Sequence, residues 1–562
     1  MIRLLKIFIA LLVTAFLLLA SYYLYKKYLK PNPIAHTPPT ATQLAALSPL
    51  KKKSRYRLGS NTNEIREDNA SIPFIDLFKS SIPFKDTQPW LSSEQVIYDA
   101  NGWPVQLNGG VAGTKFLNRL PRGTTPDGLY TVLYEGTGTL RYGNDAKLVK
   151  RSVGKDIIEV NAGKDNILNA SLVIEETNSN DPIKNIRVLL PGGICKGQPY
   201  QRVDKPSDCQ SGSFLDFENH HETLVFNPAY LNFMKDFKLV RFMNMSGMTR
   251  NPIQQWSQRN TLTKATWGGK EGYRGAPIET MVRLANTLQT DAWFSMPYQA
   301  ENEYIANFAS YVNQHLDTNL KVYIEYSNEA WNNIFVHRRH TIDKGLAEGL
   351  DSDGITAGVK YYVKRSLETF RIWEDAFNDK QRLIRTLGGW SANTRLSSQL
   401  LSYRKAYKQV DALAIAPYFY ADLKSIRKAS SVDDIFSAMD SSWSRYGLPA
   451  SIRQMQDQKA MADEFGVELI AYEGGQHLVD WETRTVDAHP NPLLYQANRD
   501  PRMGDLYRRY LQAWDASGAG VFVHFSAPRI YSWYGSWGAK EYITQAREQA
   551  PKYDALLKHL GK

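Results

Sequence analysis

Two glutamates carry the chemistry that this sequence predicts. Glu329 follows the strand-like run Val322–Tyr326, and Glu473 closes the apolar run Glu468–Tyr472. β-Branched and aromatic residues favour strands, and an acid at the carboxyl end of a strand is where an α/β barrel keeps its catalytic groups. Hydrolysis of a glycosidic bond requires two carboxyl groups that flank it. The pair therefore predicts cleavage of a sugar acetal, without a metal or a cofactor.

Strand-like runs alternate with helix-length amphipathic segments from residue 184 onwards, which is the pattern of βα units. The predicted strands are Asn185–Leu190, Leu239–Met243, Ala292–Met296, Val322–Tyr326, Arg382–Leu387, Ala412–Ala416, Glu468–Tyr472 and Val521–Phe525. Eight such units predict a TIM (β/α)8 barrel over residues 183–562. A doubly wound sheet is the alternative, but it needs a Gly-rich phosphate turn that does not follow the first of these runs.

In this setting the sequence resembles clan A of the retaining glycoside hydrolases, the cellulase-like (β/α)8 enzymes, over residues 185–550. That clan has an Asn-Glu pair after strand four and a Glu at the end of strand seven, which correspond to Asn328-Glu329 and Glu473. The resemblance implies that Glu473 is the nucleophile, Glu329 the acid/base, and Asn328 a donor to the sugar 2-hydroxyl. Some members also carry a Glu at the position of Glu325, for which we expect a structural role.

Two further residues are matched to the clan. Arg241, on predicted strand two, corresponds to an Arg near the nucleophile, although its side chain could instead face the helix layer. Tyr418 corresponds to a Tyr that hydrogen-bonds the nucleophile, but Ala416 stands where the clan has a His. Strand three also ends without the His of some relatives, in Met296-Pro297-Tyr298. These departures separate the chain from standard cellulases.

Aromatic residues crowd the predicted strand ends. Flat rings pack well against the C–H faces of a pyranose, so Trp390, Trp533 and Trp537 are predicted to contact substrate. Anchoring of loops is the alternative role for them. His477 and Arg250 lie on loops of the same side and are further candidates for substrate binding.

Residues 71–182 have a different character. Short strand-like runs are separated by Asn-Gly, Gly-Gly and Asp-Gly turns, and this pattern predicts a small all-β sandwich module. If the module binds carbohydrate, its candidate stacking residues are Trp90, Trp103, Tyr134 and Tyr142; packing in the core is their alternative role.

The N-terminal region predicts a membrane anchor. Ile7–Tyr25 is 19 uncharged, mostly apolar residues, long enough to span a bilayer. The segment lacks a small-residue cleavage site, which favours an uncleaved signal anchor (residues 1–30) over a cleaved signal peptide. Residues 31–70 are rich in Pro and Lys and are predicted to be a linker.

The net charge of +11 does not indicate nucleic-acid binding. Residues 1–58 hold ten Lys and Arg and no acid, which leaves +1 for the other 504 residues. The basicity therefore belongs to the region that flanks the predicted anchor, where it can contact anionic headgroups.

Cys195 and Cys209 are the two cysteines of the chain and are 14 positions apart in a polar stretch. Their number and spacing suggest a disulfide and an oxidising compartment, while two unrelated thiols are the alternative. Only His220 and His221 lie near them, which fits no zinc pattern. With the anchor, this places the catalytic part outside the cytoplasmic (inner) membrane, in a bacterial periplasm.

These observations predict a single-pass, membrane-tethered retaining glycoside hydrolase that acts on a β-linked polysaccharide or oligosaccharide. Two alternatives remain open at this point. One is a carbohydrate-binding protein without hydrolytic activity, and the other is a transglycosylase of exopolysaccharide processing, which would use the same carboxyl groups. Sugar specificity depends on loop chemistry, which the fold class does not set.

Overall fold

A closed barrel of eight parallel strands lies at the centre of the fold. The computed structural model describes residues 58–84, 95–210 and 212–562. In chain order the strands are β1 (Leu58–Asn61), β2 (Ile97–Tyr98), β3 (Pro104–Gln106), β4 (Ala112–Pro121), β5 (Gly128–Glu135), β6 (Gly138–Asn144), β7 (Ala146–Ser152), β8 (Lys155–Val160), β9 (Ile167–Thr177), β10 (Lys184–Leu189), β11 (Gly193–Cys195), β12 (Arg202–Val203), β13 (Phe214–Asp216), β14 (Leu239–Arg241), β15 (Asp291–Met296), β16 (Val322–Tyr326), β17 (Leu383–Gly388), β18 (Ala412–Ile415), β19 (Glu468–Ala471) and β20 (Phe522–His524). The barrel consists of β1 and β14–β20, in that order.

The predicted α/β barrel is therefore confirmed, and seven of the eight predicted strands coincide with β14–β20. Their side chains face either the helices or the barrel interior, so both faces are buried and the runs are almost continuously apolar. The interior is filled rather than open. Leu239, Trp293, Tyr323 and Ile470 are among its packed residues.

The prediction of the first barrel strand was wrong. Residues 185–190 belong to β10, which pairs antiparallel with β5 outside the barrel. The barrel is closed instead by β1, which pairs in parallel with β20 on one side and β14 on the other. Residues 58–61, which the prediction placed in the linker, therefore form a barrel strand, and residues 62–238 are an insertion between the first two strands of the ring.

β1 has no hydrophobic run that could have revealed it. Its sequence is Leu-Gly-Ser-Asn, yet all four residues are buried. A Cβ atom at Gly59 would lie 2.8 Å from the carbonyl oxygen of Leu239 and 3.1 Å from a methyl group of Val523. The strand thus fits between its neighbours because it carries a glycine there, and its polar end faces the site described below.

Between residues 97 and 216 the inserted segment contains antiparallel strands, and their grouping as a sandwich module stays a prediction. One antiparallel sheet has the strand order β10-β5-β8-β7, and another has the order β4-β9-β6. Inward-facing residues alternate along the strands, for example Tyr130 and Val132 on β5 and Ile158 and Val160 on β8, and all four are fully buried. Together with the barrel, the insertion forms one compact unit.

The aromatic residues proposed for carbohydrate stacking in this module are part of its core. Trp103 is 3% exposed and stacks on Phe78, and Tyr134 and Tyr142 are each 9% exposed. Their faces are covered by protein, so they cannot form a sugar platform. Trp90 lies outside the described residues.

Helices cover the barrel on its outside. They are α1 (Phe217–His220), α2 (Pro228–Met234), α3 (Ile278–Leu288), α4 (Asn302–His315), α5 (Val336–Ala347), α6 (Gly354–Ala376), α7 (Thr394–Ser402), α8 (Leu423–Lys428), α9 (Val432–Met439), α10 (Leu448–Phe465), α11 (Asn491–Arg499), α12 (Pro501–Ala516) and α13 (Pro551–His559). The predicted start at Asn227-Pro228 is present, since the Asn227 side chain accepts a hydrogen bond from the Ala229 amide. Proline at the first helical position costs nothing because that N–H has no partner within a helix.

Cys195 and Cys209 are joined in a disulfide that closes a loop between β11 and β13. Nowhere in residues 58–84, 95–210 and 212–562 does a helix combine the length and apolar character that a membrane span needs. The predicted anchor at Ile7–Tyr25 lies outside that range and stays a prediction.

The position of β1 makes a testable difference for truncation. A version that begins at residue 71 loses Leu58–Asn61, which leaves the edges of β14 and β20 unpaired; we expect it to be insoluble or not to unfold cooperatively. A version that begins at Tyr56 retains the strand, and we expect a single cooperative transition in thermal circular dichroism. If the shorter version were to unfold with the same midpoint, β1 would not be part of the stable barrel.

Candidate active site

The two glutamates lie at the same end of the barrel. Glu329 is three residues beyond the end of β16, and Glu473 is two residues beyond the end of β19. Because all eight strands are parallel, both positions are at the carboxyl-terminal mouth, where α/β barrels bind substrates. The spatial order of the strands places them on the fourth and seventh strands of the ring.

A buried arginine forms hydrogen bonds with four side chains at this end of the barrel. Arg241 is the last residue of β14, and its side chain is fully buried. One guanidinium nitrogen donates to Glu473 (2.9 Å) and to Asn61 (3.2 Å). The other donates to Glu325 (2.8 Å) and to Asn328 (3.1 Å). The Arg241 side chain therefore points into the barrel mouth and not toward the helix layer.

Glu473 is held by two donors. Its Oε1 accepts from Arg241, and its Oε2 accepts from the Tyr418 hydroxyl at 3.0 Å. The residue is only 7% exposed. A carboxylate with one ion pair and one further hydrogen bond is fixed in orientation and stabilised in its charged form.

Glu329 has neutral hydrogen-bonding partners. Its Oε1 accepts from the Tyr472 hydroxyl and its Oε2 from the Asn332 amide, each at 2.8 Å. The backbone is left-handed at Glu329 (φ 43°) and at Ser327 (φ 67°), which costs on the order of 1–3 kcal/mol per residue. The turn is secured by the Ser327 amide, which donates to the Met296 carbonyl. Strain of this kind is common where a side chain is held for function.

The two carboxyl groups differ in the charge that surrounds them. Burial and the charge of Glu329 raise the pKa of Glu473 to about 7, although the Arg241 cation and the Tyr418 hydrogen bond lower it. Burial also raises the pKa of Glu329, while the bonds from Asn332 and Tyr472 lower it. Since the ion pair belongs to Glu473, we assign the negative charge to Glu473 and the shared proton to Glu329.

Glu325 lies deeper in the barrel, as expected for a structural residue. Its Oε2 accepts from Arg241, from the Trp293 indole (3.1 Å) and from the Ser295 hydroxyl (3.0 Å). Glu325 thus pairs with Arg241 on the side of the barrel interior, and Arg241 pairs with Glu473 at the mouth.

Asn328 is oriented by the same network. Its side-chain oxygen accepts from Arg241, and its backbone carbonyl is bonded to the His337 ring at 2.5 Å. Its side-chain amide donates to no other described residue. It is therefore left as a donor for a bound molecule.

Aromatic rings extend from both glutamates. Trp331, two residues after Glu329, stacks on Trp390 with a centroid distance of 5.6 Å and an interplanar angle of 5°. On the other side, the Tyr418 ring contacts His477 at 5.3 Å. The Trp537 indole donates to His477 Nδ1 at 3.0 Å. Burial lowers the pKa of His477 to about 4, so the ring is neutral near pH 7.

Two of the predicted residues are not joined to this network. Trp533 stacks on Tyr534 at 3.7 Å, and no ring contact or hydrogen bond of the described residues connects the pair to either glutamate. Arg250 is paired with Glu271 and also donates to the Ile334 carbonyl at 3.4 Å. Contact of these two residues with substrate stays a prediction.

Sequence reasoning missed several residues of the site. Asn61, at the end of β1, donates to the Tyr472 carbonyl at 3.0 Å and accepts from Arg241. Trp293 and Tyr472 place their rings within 5.3 and 5.1 Å of the Arg241 guanidinium. Tyr472 and Asn332 could have been noticed as neighbours of the two glutamates, but nothing in the sequence marked Asn61.

A cavity of about 580 Å³ lies elsewhere, on the flank of the barrel between β10, α3 and α4. It is lined by Asp76, Arg187, Trp267 and Arg283, among others, and by none of the residues above. Asp76 and Arg187 lie 3.8 Å apart, and Arg283 donates to backbone carbonyls.

Comparisons with known proteins find remote similarities among solved structures. No family model matches the sequence, and no curated protein matches it. Among solved structures, a Bacteroidetes-affiliated GH5 cellulase is 11% identical, with 59% of this chain and 86% of that chain covered and a TM-score of 0.35. A Thermobacillus composti GH10 xylanase is 10% identical, with coverage of 61% and 93% and a TM-score of 0.30.

A rhamnosyl-glucuronidase from Fusarium oxysporum 12S is 13% identical with a TM-score of 0.35, and the match covers 57% of this chain and 60% of that enzyme's length.

The buried ion pairs of Arg241 predict a large effect on stability. We expect Arg241→Met to lower the free energy of unfolding by about 3–5 kcal/mol, because Glu325 and Glu473 would be left buried without their cation. A matched control is Arg141→Met, which removes an exposed pair with Glu175 and should cost less than about 1 kcal/mol. Chemical denaturation followed by circular dichroism measures both. Equal, small losses would show that Arg241 does not support the site.

Proposed function

We propose that the protein is a retaining glycoside hydrolase that cleaves a β-linked polysaccharide. The observation that carries the proposal is the unequal pair of glutamates at the barrel mouth. Glu473 is charged and fixed by Arg241 and Tyr418, as a nucleophile must be. Glu329 has only neutral hydrogen-bonding partners and no cation of its own, which favours the protonated form that an acid needs.

The reaction follows from these two states. Glu473 attacks the anomeric carbon as the bond to the leaving oxygen breaks, and Glu329 gives its proton to that oxygen. A glycosyl ester on Glu473 results. Glu329, now a carboxylate, removes a proton from water, which attacks the same carbon and releases the sugar with its original configuration. Asn328 is placed to donate to a hydroxyl of the sugar whose bond is cleaved.

The location of exposed aromatic residues supports a polymeric substrate. Every exposed Trp or Tyr of the described chain lies between a barrel strand and the main helix that follows it, on the catalytic side. They are Tyr273, Trp390, Trp443, Tyr446, Trp481 and Tyr534. Exposed rings are costly in water, and their restriction to one side indicates a ligand longer than one sugar.

The proposal includes the location. The uncharged segment Ile7–Tyr25, the basic residues that flank it and the Cys195–Cys209 disulfide favour a single-pass protein of the cytoplasmic membrane with its catalytic part in the periplasm. There the enzyme would act on exported or extracellular glycan.

Replacement of each glutamate tests the mechanism. We expect Glu473→Gln and Glu329→Gln each to reduce hydrolysis of a β-glycan by at least about 10³-fold, because each removes a group that the reaction needs. Activity would be measured on a panel of soluble β-glucan, xylan and mannan by release of reducing ends. Unchanged thermal unfolding is the control for folding, and full activity in either variant would refute the proposal.

Rescue by azide separates the two roles. With an aryl glycoside whose leaving group departs without protonation, azide should restore turnover of Glu329→Ala, since this anion needs no general base, and should give a product of retained configuration. In Glu473→Ala azide occupies the site of the lost nucleophile, and the product should have inverted configuration. Proton NMR of the glycosyl azides distinguishes the two, and the opposite assignment would exchange the roles of the glutamates.

The exposed rings predict a dependence on substrate length. Trp390→Ala should raise KM for the polymer up to about tenfold, since an aromatic contact is worth roughly 0.5–1.5 kcal/mol. It should leave kcat/KM for an aryl monosaccharide within about twofold. Leu129→Ala, which changes an exposed residue of the inserted module, is the control and should alter neither. An equal loss on both substrates would argue against a polymer track at Trp390.

A further inference from the structure

The two residues that follow strand β19 both place their side chains in the site. Glu473 and Tyr472 are neighbours in the chain and point in different directions, as successive residues at a strand end do. Glu473 meets Arg241 and Tyr418. Tyr472 is 1% exposed, lies in the interior of the barrel, and reaches across it to Glu329. Tyr472 is therefore the neighbour of Glu473 in the chain and the hydrogen-bonding partner of Glu329 in space.

The two donors to Glu329 are not equivalent. The Asn332 side-chain oxygen accepts from the Ile334 amide at 3.1 Å, which fixes the orientation of its amide so that only an N–H group faces Glu329. The Tyr472 hydroxyl has Glu329 as its one hydrogen-bonding partner within the described chain. A hydroxyl can both donate and accept. Tyr472 can therefore remain bonded to Glu329 whether that carboxyl group is protonated or not, whereas Asn332 can only donate.

We propose that Tyr472 is a positioning residue for the acid/base, holding Glu329 in place through both steps and stabilising the carboxylate that remains after proton transfer. This inference rests on the proposed function. In the first step Glu329 gives its own proton to the leaving oxygen. In the second it receives one from water. Tyr472 keeps its proton throughout and turns its O–H bond toward Oε1 when Glu329 is charged.

The ring of Tyr472 has a separate role from its hydroxyl. The ring lies 5.1 Å from the Arg241 guanidinium, so it also covers the cation that pairs with Glu473. Tyr472→Phe keeps this ring contact and removes the hydrogen bond alone. The substitution therefore isolates the contact with Glu329.

The direction of the expected effect follows from the charge. A hydrogen bond donated to a carboxylate favours the charged form and lowers the pKa of the group. Its removal in Tyr472→Phe raises the pKa of Glu329. Because the acid must be protonated for the first step, the alkaline limb of the pH profile of kcat/KM should move to higher pH. The acidic limb, which belongs to Glu473, should stay in place.

A titration without substrate tests the inference directly. In the full-length protein, Glu473→Gln removes the neighbouring carboxyl group that would titrate together with Glu329. The 13Cδ resonance of Glu329, assigned by its loss in Glu329→Gln, then reports the protonation of Glu329. We expect Tyr472→Phe in this background to raise the titration midpoint by about one pH unit, which corresponds to the strength of a hydrogen bond to a charged group. A midpoint that is unchanged or lower would overturn the proposal.

Tyr418→Phe in the same background is the matched control. It removes the same atom from a tyrosine that bonds residue 473 and not Glu329, so the Glu329 midpoint should remain where it was. An equal shift in both variants would show a general change in the site and would also refute a specific role for Tyr472. Thermal unfolding shows whether each variant is folded.

The outcome does not depend on catalysis. If Glu473→Gln hydrolyses glycan as well as the unmodified protein, the proposed function fails while the titration still reports the bond between Tyr472 and Glu329. If hydrolysis requires both glutamates but the midpoint does not move, only the role of Tyr472 fails.

Discussion

The site depends on one buried cation. A guanidinium taken out of water loses its hydration, and only close anionic partners make its burial tolerable. Arg241 has two such partners, Glu325 below it and Glu473 above it. With these two the local charge is already negative by one. A third carboxylate, at Glu329, would add repulsion without a cation of its own, so the arrangement favours a proton there.

The same constraint explains why the strand ends are polar and strained. The barrel interior beneath Arg241 is packed with apolar side chains, and Trp293 stacks on Tyr323 at 5.4 Å. Water is excluded from below, so each polar group of the site needs a protein partner. The left-handed backbone at Ser327 and Glu329 is the local cost of aiming Asn328 at Arg241 and Glu329 at Tyr472.

Much of this architecture could be predicted from the sequence, for a physical reason. Strands β14–β20 are buried on both faces and must be apolar, so their runs are visible, and the residues that follow them mark the mouth of the barrel. Glu329 and Glu473 were predicted in this way, and the resemblance to clan A added Arg241, Asn328 and Tyr418. Tyr472 and Asn332 were not predicted, because their contacts with Glu329 depend on side-chain reach across the ring and not on spacing.

The strand that the sequence did not reveal is also the one on which the ring depends. β1 is too short and too polar to show a pattern, yet it closes the barrel between β20 and β14. Its Asn61 side chain bonds Arg241 and the carbonyl of Tyr472, a residue 411 positions away. The inserted module, residues 62–238, separates β1 from its neighbour β14 in the chain. The contacts of Asn61 thus join segments that are far apart in the chain, and the site is complete only when β1 is paired in the barrel. The orientation of both glutamates is then a property of the closed ring, since Arg241 and Tyr472 are each held by the strand that closes it.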